Sequence, residues 1–309
     1  MTMRDVSIRI VDAFTTTPFA GNPAGVVLEA EGLPDAAMQA IARKVNASET
    51  ALLLGTQRSD ADLRVRWFTP ATEIDLCGHA TVATFHTAME QGRLAAGTFR
   101  MECRAGVLPV SLEKGGDGRP EVSLGLPVPE MVDAQEIPAA VAAALGIGAR
   151  DLDRSAPLTC SGEWLVIPVA GLEVLRRMRP DFGAIRAAGE RSGSGCWIAL
   201  TQETVDPGSA VHIRMFAPGF GIDEDPVTGW AQGAVASWLV RRGLLRADAG
   251  SASTCLYTAE QGDIIGRRGR IRVTVTLDGE DKSGAPGISA ITITGSAVTV
   301  MRGALTLVV

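Results

Sequence analysis

LCGHATVATFHTAM (Leu76–Met89) and PVTGWAQGAVASWLV (Pro226–Val240) each run about four helical turns without an Asp, Glu, Lys or Arg. A helix that is apolar or small on every side belongs in an interior, so both stretches are expected to be buried helices. Their surroundings match. Arg66-Trp67-Phe68-Thr69-Pro70 precedes the first and Arg214-Met215-Phe216-Ala217-Pro218 the second, and in each a glycine (Gly78, Gly229) is followed by another that closes the helix (Gly92, Gly243). The offset is 148 residues at the Arg-x-Phe-x-Pro run and 151 at both glycines, close to half of the 309 residues. Three matches in order read as an internal duplication.

Around these helices the chain is dominated by short β-branched runs: VSIRIVDAF, AGVVLEA, TALLLG, LRVRWF, GVLPVSL and EVSLGL, then WLVIPVA, WIALTQ, VHIRMF, IRVTVTL and AITIT. These are strands. Further helices are expected near Asp35 to Val45 and from Pro138 to Leu145. The fold class is therefore α+β, with two pseudo-symmetric, barrel-like halves, each a curved sheet wrapped around one buried helix. The N-terminal half is expected over residues 1–127, completed by the C-terminal strand at about 296–309, and the C-terminal half over 128–295. The Pro- and Gly-rich stretch Gly115 to Pro138 reads as the linker. A pseudo-two-fold axis would relate the halves, with the active site in the cleft where they face each other.

Composition excludes several function classes. At 46% apolar and 21% charged the chain is globular, and its length lets it bury roughly 75% of its surface without disulfides or a metal. With 29 basic against 35 acidic residues, a net charge of −6 and no Lys/Arg tract, a nucleic-acid or anionic-membrane partner is not expected. MTMRDVSIRIVDAF has no apolar signal core, and nowhere do eighteen apolar residues follow one another. Five cysteines without CxxC spacing suit a reducing compartment, which makes the cytoplasm the expected location.

Several residues could carry chemistry. Glu49 stands at the head of an apolar strand, where an inward-facing acid would have a raised pKa suited to proton transfer. A solvated strand start is the plainer alternative. The matching place in the second half is Ser194-Gly195-Cys196, so one half has an acid where the other has Gly. His79 falls in the first turn of a buried helix and needs a polar partner, as a core histidine or a catalytic one. His86, on the same face, reads as packing. The backbone at Gly78 and Gly229 would offer helix N-termini to an anion, or else only permit close packing. Asp225 before Pro226 has the form of an N-cap followed by Pro at N1, yet it also belongs to an acidic cluster with Asp223 and Glu224. Cys77 aligns with Thr228; one thiol cannot run a two-thiol racemisation, so Cys77 reads as structural or a passive neighbour. No His/Cys/Asp set has metal-ligand spacing in the sequence, and no metal is expected.

Read together, Asp12-Ala13-Phe14, Phe19 to Val26, Ser48-Glu49-Thr50, Arg66 to Pro70, Leu76 to Thr81, Arg214 to Pro218, Glu224 to Gly229 and Gln261-Gly262 resemble the PhzF family of phenazine-biosynthesis-like isomerases. That family is itself similar in fold to diaminopimelate epimerase. The resemblance implies barrel-like halves around central helices, a homodimer, and no metal or organic cofactor. It puts the general acid/base on Glu49 and its assisting groups on His79 and Asp225. Asn22, Gly78, Thr228, Gly229 and Trp230 are expected to bind substrate. Two positions depart from the pattern: Trp230 replaces a serine usual there, and Gln232 stands where His is frequent.

The expected activity is thus a cofactor-independent isomerisation that moves a proton at a carbon of a small carboxylate-bearing substrate. Two alternatives are a thiol-dependent amino-acid racemase or epimerase, against which Thr228 speaks, and a non-catalytic small-molecule binder whose site Trp230 would fill.

Overall fold

A computed structural model provides the structure, which describes residues 3–133, 139–156, 158–245, 254–280 and 286–308. The chain divides into two compact units, Met1–Gly125 with Thr294–Val309, and Leu126–Ile293. Among the described residues no helix is long and apolar enough to cross a membrane.

In chain order the first unit contains β1 (Met3–Ala13), β2 (Asn22–Val27), α1 (Asp35–Val45), β3 (Glu49–Leu54), β4 (Leu63–Phe68), β5 (Glu73–Ile74), α2 (Gly78–Glu90), β6 (Gly97–Cys103), β7 (Gly106–Lys114) and β8 (Pro120–Leu126). The second begins with β9 (Val132–Asp133), α3 (Ala139–Ala144), β10 (Thr159–Ser161), β11 (Trp164–Pro168), α4 (Leu172–Arg177), α5 (Phe182–Ser192) and β12 (Cys196–Thr201). It continues with β13 (Val211–Ala217), β14 (Ile222–Asp225), α6 (Gln232–Arg241), β15 (Thr254–Gln261), β16 (Gly269–Glu280) and β17 (Pro286–Gly295), after which β18 (Ala297–Val308) ends the chain. β18 pairs antiparallel with β1 and so belongs to the first unit's sheet.

The strands of the two units pair by the same ladder. In the first, β1 is antiparallel to β2, β2 parallel to β3, β3 antiparallel to β4, β4 antiparallel to β5 but parallel to β6, and β6 antiparallel to β7. The second repeats each step with β10, β11, β12, β13, β14, β15 and β16. A parallel pair needs a crossover, and each crossover is helical: α1 between β2 and β3, α4 and α5 between β11 and β12, α2 between β4 and β6, α6 between β13 and β15.

The repeated Arg-x-Phe does the same work twice. Arg66 on β4 forks onto Glu73 of β5 (2.7 and 2.8 Å) with its guanidinium carbon 5.1 Å above the Phe68 ring. Arg214 on β13 forks onto Glu224 of β14 (2.8 and 2.7 Å), also 5.1 Å above Phe216. In each unit the fork ties the short strand to its neighbour.

Helix α2 is buried from Gly78 through Ala88. It carries three threonines there because each hydroxyl donates one turn back: Thr81 to the Cys77 carbonyl (2.6 Å), Thr84 to Ala80 (2.7 Å) and Thr87 to Ala83 (2.7 Å). Both buried helices end identically. Gly92 and Gly243 take positive φ (68° and 65°), and the bonds Gly92 N–H to Met89, Arg93 N–H to Ala88, Gly243 N–H to Val240 and Leu244 N–H to Leu239 form a Schellman motif at each terminus.

Their beginnings differ, which corrects the sequence reading. Helix α6 starts at Gln232, not Pro226, with Ala231 in the N-cap position; Asp225 is the last residue of β14 and caps no helix. Gly229 and Trp230 lie in a turn ahead of the helix, and Trp230 is half-buried rather than in a first helical turn equivalent to that of His79. The linker reading also changes. Gly115 to Arg119 is the hairpin turn from β7 to β8, and Pro120–Leu126 is a strand. The expected helix Asp35–Val45 is observed with those bounds, and that from Pro138 is observed as Ala139–Ala144, Pro138 itself lying outside the described residues.

Candidate functional site

In the first unit three elements converge at one end of the sheet. β2 opens with Asn22 and β3 with Glu49, held side by side by the parallel pairing of Ala24 with Glu49. α2 contributes His79 from its first turn and Cys77 from its N-cap. All four are buried; Glu49 is 5% exposed and His79 6%. His79 Nε2 lies 3.1 Å from Glu49 Oε2 and 3.4 Å from Ser48 Oγ. On the other side of the ring, Asn22 Nδ2 is 3.2 Å from His79 Nδ1 and Cys77 Sγ is 3.4 Å from it. In the neutral ring the Asn22 amide donates to Nδ1, which leaves the imidazole proton on Nε2, facing the carboxylate.

Electrostatics turn the pair into an ion pair. Burial pushes the Glu49 carboxyl up, but the imidazolium charge and hydrogen bond of His79, with help from Ser48, outweigh it and bring the carboxyl below its usual value. Burial pushes His79 down, and the Cys77 and Glu49 side chains set against the ring lift it well above the ordinary histidine value. The expectation of a raised Glu49 pKa is therefore corrected: the sequence showed the apolar strand but not the imidazole facing the acid. Burial raises the Cys77 thiol, so it rests protonated. Glu49 is thus a buried, ionised carboxylate beside a proton-bearing imidazole.

The second unit has a different constellation at the matching place. Thr50 pairs with Phe68 in the first unit and Trp197 with Phe216 in the second, so the ladder sets Cys196, not Gly195, at the position of Glu49. Burial and the nearby carboxylates of Glu163 and Asp225 push the Cys196 thiol up to about 12. Asp225 is buried at the end of β14 and accepts the Thr228 hydroxyl on Oδ2 at 2.5 Å. Gln261, at the end of β15, pins this loop: its Nε2 donates to the Asp225 carbonyl (2.7 Å) and Thr228 Oγ1 (3.0 Å), and its Oε1 accepts the Thr228 N–H (2.8 Å). Gly262 must follow it. At φ 85° an added Cβ would lie 2.2 Å from the Arg267 carbonyl oxygen and 2.7 Å from that of Pro226.

Of the residues expected in a site, the structure brings Asn22, Glu49, Gly78 and His79 together in the first unit, and Asp225, Thr228, Gly229 and Trp230 into one loop of the second. Asn22, expected to bind substrate, bonds to His79. Cys77 and Gln261 carried more than the sequence reading assigned them. Cys77-x-His79 at the mouth of a buried helix and a Gln just before an obligatory Gly were the available signals.

Two units paired by one ladder, each with a buried helix, and a carboxylate–imidazole pair at one helix start describe an epimerase-like α+β fold. Residues 11–303 match the phenazine biosynthesis-like protein family, PhzC-PhzF, and the chain belongs to it. The chain is 32% identical to an uncharacterized isomerase of Clostridium acetobutylicum, over 99% of each chain. It is 36% identical to the uncharacterized isomerase YddE of Escherichia coli K12, over 93% of this chain and 94% of that one. The crystal structure of a Bacillus anthracis phenazine biosynthesis protein of the PhzF family superposes with a TM-score of 0.87 at 32% identity, covering 99% of this chain and 100% of the other.

Proposed function

We propose that the protein is a cofactor-independent isomerase that moves a proton at a carbon next to a carboxylate, or within a conjugated acid, of a small anionic substrate. Glu49 takes and returns the proton. His79 stabilises the ionised base and orients the substrate. The observation that carries this reading is the buried pair itself, Glu49 Oε2 at 3.1 Å from His79 Nε2. At the N-terminus of α2 the Ala80 and Thr81 N–H groups bond to Cys77, and those of Gly78 and His79 would receive a substrate carboxylate. The part given to Asp225, with Thr228, Gly229 and Trp230 as substrate contacts, rests on the family resemblance, as does the homodimer.

The test incubates the chelator-treated protein in D₂O with a panel of small carboxylic acids and follows loss of the substrate C–H signal by proton NMR. Glu49→Gln keeps the shape but cannot accept a proton, and should slow exchange by about 10²- to 10⁴-fold. Undiminished exchange in that variant removes Glu49 from the mechanism. A ligand that raises the melting temperature without any exchange favours the non-catalytic binder instead.

A further inference from the structure

Within the first unit, helix α2, the β7–β8 hairpin and the start of β18 surround a cavity of about 410 Å³. Its polar lining includes His86, Glu90, Lys114 and Arg119. His86 is 4% exposed, and its two ring nitrogens are used unequally. Nδ1 accepts the Ala297 N–H at 3.3 Å. The Pro120 carbonyl, also 3.3 Å from Nδ1, has its own donor in the Ser296 hydroxyl at 2.8 Å and so calls for no proton on Nδ1. With the lone pair on Nδ1, the neutral ring carries its hydrogen on Nε2. Burial pushes the His86 pKa down and keeps the ring neutral. No described residue accepts from that Nε2–H, and the part of the ring left accessible faces the cavity.

The charges around it are unevenly spent. Lys114 pairs across the ladder with Pro120, next to Arg119, so the hairpin brings both cations to the backbone that touches His86. Among the described residues Lys114 has no ion-pair partner. Arg119 is held loosely, its Nε 3.6 Å from the Asp117 carboxylate and its Nη1 3.4 Å from the Thr16 carbonyl. Glu90, the acid in the lining, has both oxygens engaged: Oε2 accepts the Thr299 hydroxyl at 2.9 Å and Oε1 the Arg302 guanidinium at 3.2 Å. The groups still able to bond are therefore donors, two of them cationic, and the cavity calls for an anionic acceptor.

We propose that this cavity binds a phosphate monoester, with Lys114 and Arg119 taking the phosphoryl charge and His86 Nε2–H donating to one of its oxygens. Three donors on three side chains suit the three terminal oxygens and double charge of a phosphoryl group better than the two oxygens and single charge of a carboxylate. The cavity is larger than inorganic phosphate needs, and Met89, Pro120 and Val298 give the organic part of an ester an apolar wall. His86 lies seven residues beyond His79 on α2, about 10 Å along the helix axis, so the cavity is distinct from the Glu49–His79 pair. The site stands on this geometry alone and is independent of the proposed function.

The test is calorimetric titration of the full chain with glycerol 3-phosphate, the ionic strength held constant with NaCl. One saturable site is expected. Lys114→Ala and Arg119→Ala truncate exposed side chains, and each should weaken binding by about tenfold or more, as loss of a charge-assisted bond does. In ¹⁵N-labelled wild type, which needs no variant to fold, the His86 Nε2–H resonance should shift as the ligand is added. Glu49→Gln should leave the affinity unchanged; an altered affinity there would place the ligand at the Glu49–His79 pair and overturn the proposal. So would the absence of saturable binding, full affinity in the Lys114→Ala/Arg119→Ala double variant, or an unmoved His86 resonance. Succinate binding as tightly as glycerol 3-phosphate would overturn the choice of a phosphate.

Discussion

Thr228→Val measures how firmly the Asp225 loop is built. The substitution keeps the β-branched shape and deletes one hydroxyl, which donates to the Asp225 carboxylate at 2.5 Å and accepts from Gln261 Nε2 at 3.0 Å. Both partners are buried. A hydrogen bond to a charged group contributes about 1.5–3 kcal/mol and a neutral one about 1 kcal/mol. Gln261 Nε2 retains its bond to the Asp225 carbonyl, so its loss is partial. The expected destabilisation is therefore about 3 kcal/mol. For a unit of this size it would lower Tm by roughly 6–12 °C. Urea unfolding, followed by tryptophan fluorescence, should show a shifted midpoint at unchanged slope. In an Asp225→Asn background the same substitution should cost about 1 kcal/mol less, because the charged acceptor is gone. A change under about 0.5 kcal/mol in the wild-type background, which is the range of an ordinary surface substitution, would refute the account of a hydroxyl-held loop.

The Arg66 hydrogen bond holds the Glu73 carboxyl below its usual 4.5, so its contribution is present above that pH and lost as pH falls through the depressed folded value. The melting-temperature gap between wild type and Glu73→Gln should accordingly be widest near neutrality and narrow in acid; a gap independent of pH would contradict the ion pair. Trp230→Ser should cost about 1–2 kcal/mol in a denaturant melt, because a half-buried indole leaves less cavity than the 3 kcal/mol or more of a core tryptophan. Cys77→Ala should keep substrate–solvent exchange within about tenfold of wild type, short of the 10²- to 10⁴-fold expected for loss of the proton-transferring group. A thousandfold loss in the folded variant would transfer the mechanism to the thiol.

How much was legible in the sequence follows from what each signal measures. The absence of charge over Leu76–Met89 and Pro226–Val240 marked buried helices, and β-branched runs marked strands, because burial and strand pairing act on side-chain polarity and shape residue by residue. The duplication was visible because the Arg-x-Phe-x-Pro run and the closing glycines each answer a local demand, a forked ion pair and a Schellman turn. The helix start at Gln232 was not visible. Asp225-Pro226 has the composition of a helix cap, and the pairing of Asp225 with Met215 of β13 and the bonds from Gln261, arriving from β15, hold those residues as strand end and loop.

The site divides the same way. Local sequence singled out Glu49 at a strand head and His79 in a buried first turn, since each is a polar residue set among apolar neighbours. That they lie 3.1 Å apart, with Cys77 and Asn22 against the same ring, depends on the parallel pairing of β2 with β3 and on the crossover helix that delivers His79 to it. Proton affinity is set by whatever charge stands within a few ångströms. The sequence by itself determined the elements and their two-fold repetition; which way the Glu49 pKa moves was decided only by the tertiary structure, because the charge that moves it comes from a helix distant in the chain.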